Sequence, residues 1–190
     1  MSKMSKAIAV LGVVAGLGVA ALPLSSYAVE KTANVTAQAV IGDSIAITVT
    51  NPTVTMAGVM ANEEVKEAST DVTIQTNSTK GYQIQIADAD DDTALKPTGT
   101  GTAAGIAAGI PTQGKNAWGF KASSNSSNVT ITEEGYRAVG GKAAPKIVGT
   151  AAAASATDGD VISLTFGVTV DTTIAADTYQ DEVVLTATTK

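Results

Sequence analysis

The chain has 190 residues, with 12 Lys and Arg against 18 Asp and Glu and neither histidine nor cysteine. A net charge of −6 repels nucleic acid and anionic membrane faces. Without His or Cys there is no Ser-His-Asp triad, no Cys nucleophile, no haem ligation through either residue and no ordinary zinc site.

The first predicted element is a leader. Lys3 and Lys6 precede an uncharged run from Ala7 to Leu22, and Pro23 to Ala28 follows with small residues at Ser26 and Ala28. That order of basic, apolar and small polar segments reads as a secretory signal peptide over residues 1–28, cut before Val29. The apolar run is short for a membrane anchor and contains Gly12, Gly16 and Gly18. No later run is long and apolar, Val29 is not a cysteine to be lipidated, and no hydrophobic tail or sorting motif precedes Lys190. The expectation is a single secreted or cell-surface domain, residues 29–190, with no integral membrane segment after cleavage and no nucleic-acid partner. Loss of Lys3 and Lys6 makes it more acidic still.

Short period-two runs bounded by Gly, Asn, Asp or Pro fill the rest, the signature of antiparallel strands with one wet face. Strands are predicted at Val35–Val40 and at Ser44–Val49, with Ile45, Ile47 and Val49 on one face. Asn51-Pro52 breaks the run, because proline cannot donate to a ladder, and Thr53–Met56 resumes on an edge. The Glu- and Ala-rich stretch Met60–Ala68 reads as one helical turn or a connection. Asp71–Thr76, with Val72 and Ile74 inward, and Tyr82–Ile86, with Tyr82, Ile84 and Ile86 inward, read as a hairpin around Asn77–Gly81. Residues 88–113 form a long loop, with little to bury and hence mobility expected. Trp118 and Phe120 then share one face of a strand over Asn116–Ala122, and Val129 and Ile131 mark another. Residues 136–157 read as a second long loop. The longest strand spans Val161–Val170, with Ile162, Leu164, Phe166, Val168 and Val170 inward. The last runs from about Thr178 to Ala187, with Tyr179, Val183, Leu185 and Ala187 on one face. Seven to nine one-sided strands and almost no helix imply an all-β protein, a β-sandwich of two antiparallel sheets.

The stretch Thr76–Ile86, then Asp88 to Asp90 and Leu95, then Asn116-Ala-Trp-Gly-Phe120, resembles secreted bacterial surface proteins of the WxL-like and pilin-like β-sandwich kind. The tail Phe166–Asp171, then Ala176–Tyr179 and Val184–Ala187, is similar to their closing hairpin. The resemblance covers roughly residues 35–188. It implies an immunoglobulin-like or pilin-like sandwich with a surface or adhesive role and no catalysis. A WxL protein carries two Trp-x-Leu elements, whereas this chain has one tryptophan, in Trp118-Gly119-Phe120.

Several constellations invite chemistry. Asp88, Asp90 and Asp92 alternate around Asp91, a spacing that begins like a calcium loop but lacks its glycine and closing glutamate. They are the candidate metal ligands, for a weak calcium site or a solvated acidic turn. Glu63, Glu64, Glu67, Glu133 and Glu134 are candidate acid–base carboxylates, but nothing places two of them across a cleft. Gly99, Gly101, Gly105 and Gly109 lack the lysine and hydroxyl residue of a phosphate loop. Trp118 is expected in the core by its phase. Asn34, Asn77, Asn125 and Asn128 each open a glycosylation sequon. The function expected is a secreted structural or adhesive protein without catalytic activity, facing cell-envelope components or the surface of a host or neighbouring cell. The alternatives are a secreted binding module for a glycan or protein, with a site in loops 88–113 and 136–157, and a polymerising pilin-like subunit that self-associates through a strand donated by residues 29–40.

Overall fold

The computed structural model describes residues 31, 33, 35–59, 61, 64–99, 103–112 and 115–190. The expected leader, Asn34, Glu63 and Gly101 lie outside the described residues. The chain divides after Ala39, and residues 35–39 form no strand. The body, Val40–Lys190, is built from eleven strands among the described residues: β1 Ile45–Val49, β2 Lys66–Thr76, β3 Tyr82–Asp88, β4 Lys96–Pro97, β5 Ala107–Ala108, β6 Ala117–Ser124, β7 Val129–Ile131, β8 Lys146–Ala151, β9 Asp160–Thr169, β10 Tyr179–Gln180 and β11 Val183–Thr189.

These strands make a five-stranded sheet, β1-β2-β9-β6-β5, a four-stranded sheet, β11-β3-β8-β7, and a ribbon, β10-β4. Pairing is antiparallel except between β5 and β6. The register explains why one-sided strands assemble here. Val49 opposes Val72 and Val72 opposes Ile162; Phe120 opposes Phe166. The apolar phase therefore continues from strand to strand on one face of the larger sheet. It meets Tyr82, Ile84 and Ile86 of β3 and Val148 of β8, all fully buried, in a single core. Each Ile or Val enclosed in this way contributes roughly 1.5–3 kcal/mol. Trp118, 2% exposed, stacks on Phe166 with ring centroids 6.4 Å apart, in the core position its phase predicts.

Several expectations are corrected. Val35–Val40 is not a strand, and neither is Thr53–Met56. Part of the stretch read as a helical turn, Lys66–Ala68, is the start of β2, where Ala68 opposes Phe166. Strands β2 and β3 do not form a hairpin: β2 pairs with β1 and β9, and β3 with β11 and β8. Asn77–Gly81 is an arch from one sheet to the other. Alternation records only that each strand has one buried face, and two strands stacked face to face satisfy it as well as two side by side. Strands β9 and β11 likewise lie in different sheets, so the tail is not a closing hairpin. The 136–157 segment contains β8. Its periodicity is broken by a bulge opposite Ile84 and Gln85, which buries Val148 and Gly149 together. The 88–113 segment is anchored too, because Leu95 and Ile106 bridge one another and are 6% and 3% exposed.

Candidate functional site

The acidic segment begins as the end of β3. Tyr82, Ile84 and Ile86 point inward, and the two-residue phase carries Asp88 inward after them, 1% exposed. The chain then curls at Asp91, which adopts φ 75°. Aspartate tolerates that left-handed conformation better than most residues, so the curl forms without glycine. Side chains bond back to the turn: the Asp90 amide donates to Asp88 Oδ1 (2.7 Å) and the Asp92 amide to Asp90 Oδ1 (3.0 Å). Lys96 of β4 bridges Asp90 Oδ2 (3.1 Å) and Asp92 Oδ2 (3.3 Å). The Asp92 amide and the Lys96 ammonium hold the exposed Asp90 carboxyl below its usual range.

The three aspartates singled out by their spacing are thus divided. Asp90 and Asp92 share an ammonium at the surface, and Asp88 faces inward. Among the described residues no three Asp or Glu side chains converge as a metal centre would require. The neighbour that spacing did not reveal is Asp181, in the link between β10 and β11. Asp88 Oδ2 and Asp181 Oδ2 are both buried without a hydrogen-bond donor among the described residues. Burial, then the adjacent Asp88 carboxyl, pushes the Asp181 carboxyl up to about 7. Asp181 was hidden because Thr178–Ala187 reads as one strand, in which a polar residue looks like part of the wet face.

This corner lies on the rim of a groove of about 1630 Å³ between the sheets. Its walls include Val49 of β1, Phe166 and Val168 of β9, and Val183 and Leu185 of β11. Val54, Met56 and Val59 pack partly into it from the β1–β2 connection. A smaller notch of about 430 Å³ opens at the other end of β1, beside Ser44, Asn77 and Ser155. Its polar groups already bond to each other, Ser44 to Asn77 (2.7 Å) and Thr76 to Ser155 (3.0 Å).

The remaining candidates are placed apart. Glu67 pairs with Lys121 (2.8 Å), whose ammonium lies 4.8 Å from the centre of the Tyr136 ring. The Lys121 hydrogen bond keeps the Glu67 carboxyl low, while burial and Glu67 push the Tyr136 phenol up. Glu133 lies 3.8 Å from Arg137, and Glu64 and Glu134 are exposed. Among the described residues no pair of these carboxylates flanks the groove. Gly99 donates its amide to Asp177 (3.2 Å), and Gly109 donates to the Trp118 carbonyl (2.6 Å), so these glycines serve close backbone contacts. Asn77, at the surface, bonds to Ser44 and Gly42, and Asn128 bonds to the buried Asp160. No helix among the described residues is long and apolar enough to cross a membrane. No protein-family model, curated protein or solved structure matches the chain.

Proposed function

We propose that the mature chain is a secreted, non-catalytic protein of the cell surface, structural or adhesive, that contacts envelope components or a neighbouring or host cell. The observation that supports this most is a leader-like start joined to an all-β body. Asp160, 1% exposed, receives hydrogen bonds from Tyr82 and Asn128, which makes it a brace between strands. Cell fractionation tests the reading: a species beginning at Val29 should collect in the envelope or the medium. Full-length chain retained in the cytoplasm would sink the proposal.

The second reading, a polymerising subunit, is favoured by one observation. Val35, Val40 and Ile41 are 91%, 87% and 83% exposed, and the described residues from 35 to 44 form no strand. Such a segment suits addition to the free edge of β1 or β11 in another copy. Size-exclusion chromatography of residues 29–190 should then show higher species that disappear when residues 29–40 are deleted. A monomer at every concentration, with or without the deletion, excludes it.

A further inference from the structure

We propose that Asp88 and Asp181 form a carboxyl pair that holds one proton between them, an acid-closed latch on the rim of the inter-sheet groove. Val183 opposes Asp88 across the β3–β11 ladder, and the Ala89 amide donates to the Glu182 carbonyl (3.0 Å) just beyond it. The end of β3 is thereby tied to the link that carries Asp181. Each carboxyl has one oxygen occupied: Asp88 Oδ1 accepts from the Asp90 amide and Asp181 Oδ1 from the Glu182 amide (2.9 Å). The oxygens left over, Oδ2 of each, are both buried and without a donor.

Two carboxylate oxygens cannot bond each other, because neither has a hydrogen to give. A single proton removes that defect. Protonated Asp181 donates through Oδ2 to Asp88 Oδ2, one negative charge remains, and both orphaned atoms gain a partner. The proton comes from water and returns to water.

The surrounding charges do not supply a substitute. The titratable groups on adjoining elements are Asp90, Asp91 and Asp92 in the acidic turn, Lys96 on β4, Tyr179 on β10, Glu182 beside Asp181, and Lys142 and Lys146 flanking the turn after Gly140, whose carbonyl accepts from the Asp88 amide (2.8 Å). Lys96 is engaged by Asp90 and Asp92. No ion pair to Asp88 or Asp181 exists among the described residues. Asp90 adds repulsion that favours the protonated state of Asp181.

The sign of the effect follows. The folded-state carboxyl lies near 7, above its ordinary value of 3.8, so the folded chain binds more protons than the unfolded chain between those values. The latch contribution is full below about pH 4 and is lost as pH rises through about 7. Loss of the proton leaves two anions facing each other, and the Asp181–Glu182 link moves away from the end of β3. Because Asp181, Glu182 and Val183 line the groove, this opens its rim.

The test uses the chain from Val29 onward, with chelator present. Side-chain carboxyl NMR should find one carboxyl titrating near pH 7, and it should vanish in both Asp88→Asn and Asp181→Asn. Melting temperature should fall by about 3–8 °C between about pH 5 and about pH 8, and Asp181→Asn should flatten most of that fall. The protection factor of the Ala89 amide, corrected for the intrinsic pH dependence of exchange, should fall at the higher pH in the native protein and stay level in Asp181→Asn. Asp92→Asn, which alters only the surface pair, should leave the titration in place. If every carboxyl titrates below about pH 5, the shared proton does not exist. If no carboxyl titrates near pH 7 and calcium at pH 8 raises the melting temperature in the native chain but not in Asp181→Asn, the pair binds a cation and the proposal is overturned.

Discussion

Asp160 stands at the first position of β9, almost wholly buried, with two side-chain partners far away in sequence. Tyr82 Oη donates to its Oδ2 (3.0 Å) from the other sheet, and Asn128 Nδ2 donates to the same oxygen (2.9 Å) from the start of β7. Burial and the hydrogen bond to Asp160 push the Tyr82 phenol well above its ordinary value. Tyr82→Phe keeps the ring in the core but removes one of these donors. The expected loss is about 1–3 kcal/mol, the range for a buried polar group deprived of a partner, read as a lower urea midpoint with an unchanged slope. A midpoint equal to the native one would show that Asp160 is satisfied without the phenol. Trp118 offers a second reading at this scale. Its indole donates to the Thr93 carbonyl (2.8 Å), and it is the only tryptophan. Its fluorescence should be blue-shifted and shielded from quenchers in the folded protein, and both properties should disappear in the same transition that unfolds the sheets.

At the scale of elements, the arch from β2 to β3 depends on Gly81. Its φ is 84°, and a Cβ there would overlap the carbonyl of Ala151 at the end of β8. Both obstacles are backbone, so neither yields by a rotamer change. Gly81→Ala should cost at least about 1–3 kcal/mol and lower the melting temperature. Gly167→Ala provides the contrast, because the added methyl would meet the side chain of Tyr136 rather than backbone. Thermal melts of both variants check the order; a Gly167 variant more damaged than the Gly81 variant contradicts it. Leu95 anchors the 88–113 segment by bridging Ile106. Leu95→Ala should cost about 2–5 kcal/mol if the loss is global, and proteolysis should reveal cleavage first between residues 88 and 113.

Across the whole molecule, the pairings that build the body are distant in sequence. Lys66 opposes Val168, and Tyr82 opposes Thr189. A chain that must close such loops before gaining contacts folds slowly. Refolding is expected on the millisecond-to-second scale typical of all-β domains, measurable by stopped-flow Trp118 fluorescence. Removing residues 183–190 takes away all of β11, which covers Ile84 and Ile86 and is tied by Lys190 to the Gly81 carbonyl (3.1 Å). That truncation should abolish cooperative unfolding by circular dichroism rather than trim an independent edge.

The residues by themselves determined the all-β class, the inward faces of β3, β6 and β9, and the burial of Trp118, because each depends on a period of two along a single strand; in β1 only Ile45 and Val49 pack against the core, and Ile47 is exposed. Even the inward turn of Asp88 is legible as one more step after Tyr82, Ile84 and Ile86. Tertiary structure alone decided which sheet each strand joins. Asn77–Gly81 carries every local sign of a hairpin, yet it arches between layers, because face-to-face packing of Val72 and Ile74 against β3 leaves no trace in the alternation. The bulge in β8 erased the period that would have announced a strand. The acidic corner was settled in the same way. Spacing grouped Asp88 with Asp90 and Asp92, but the β3–β11 register brought it to Asp181, 93 positions away in the chain. Contacts between distant strands are made by register, and register belongs to pairs of strands rather than to either one.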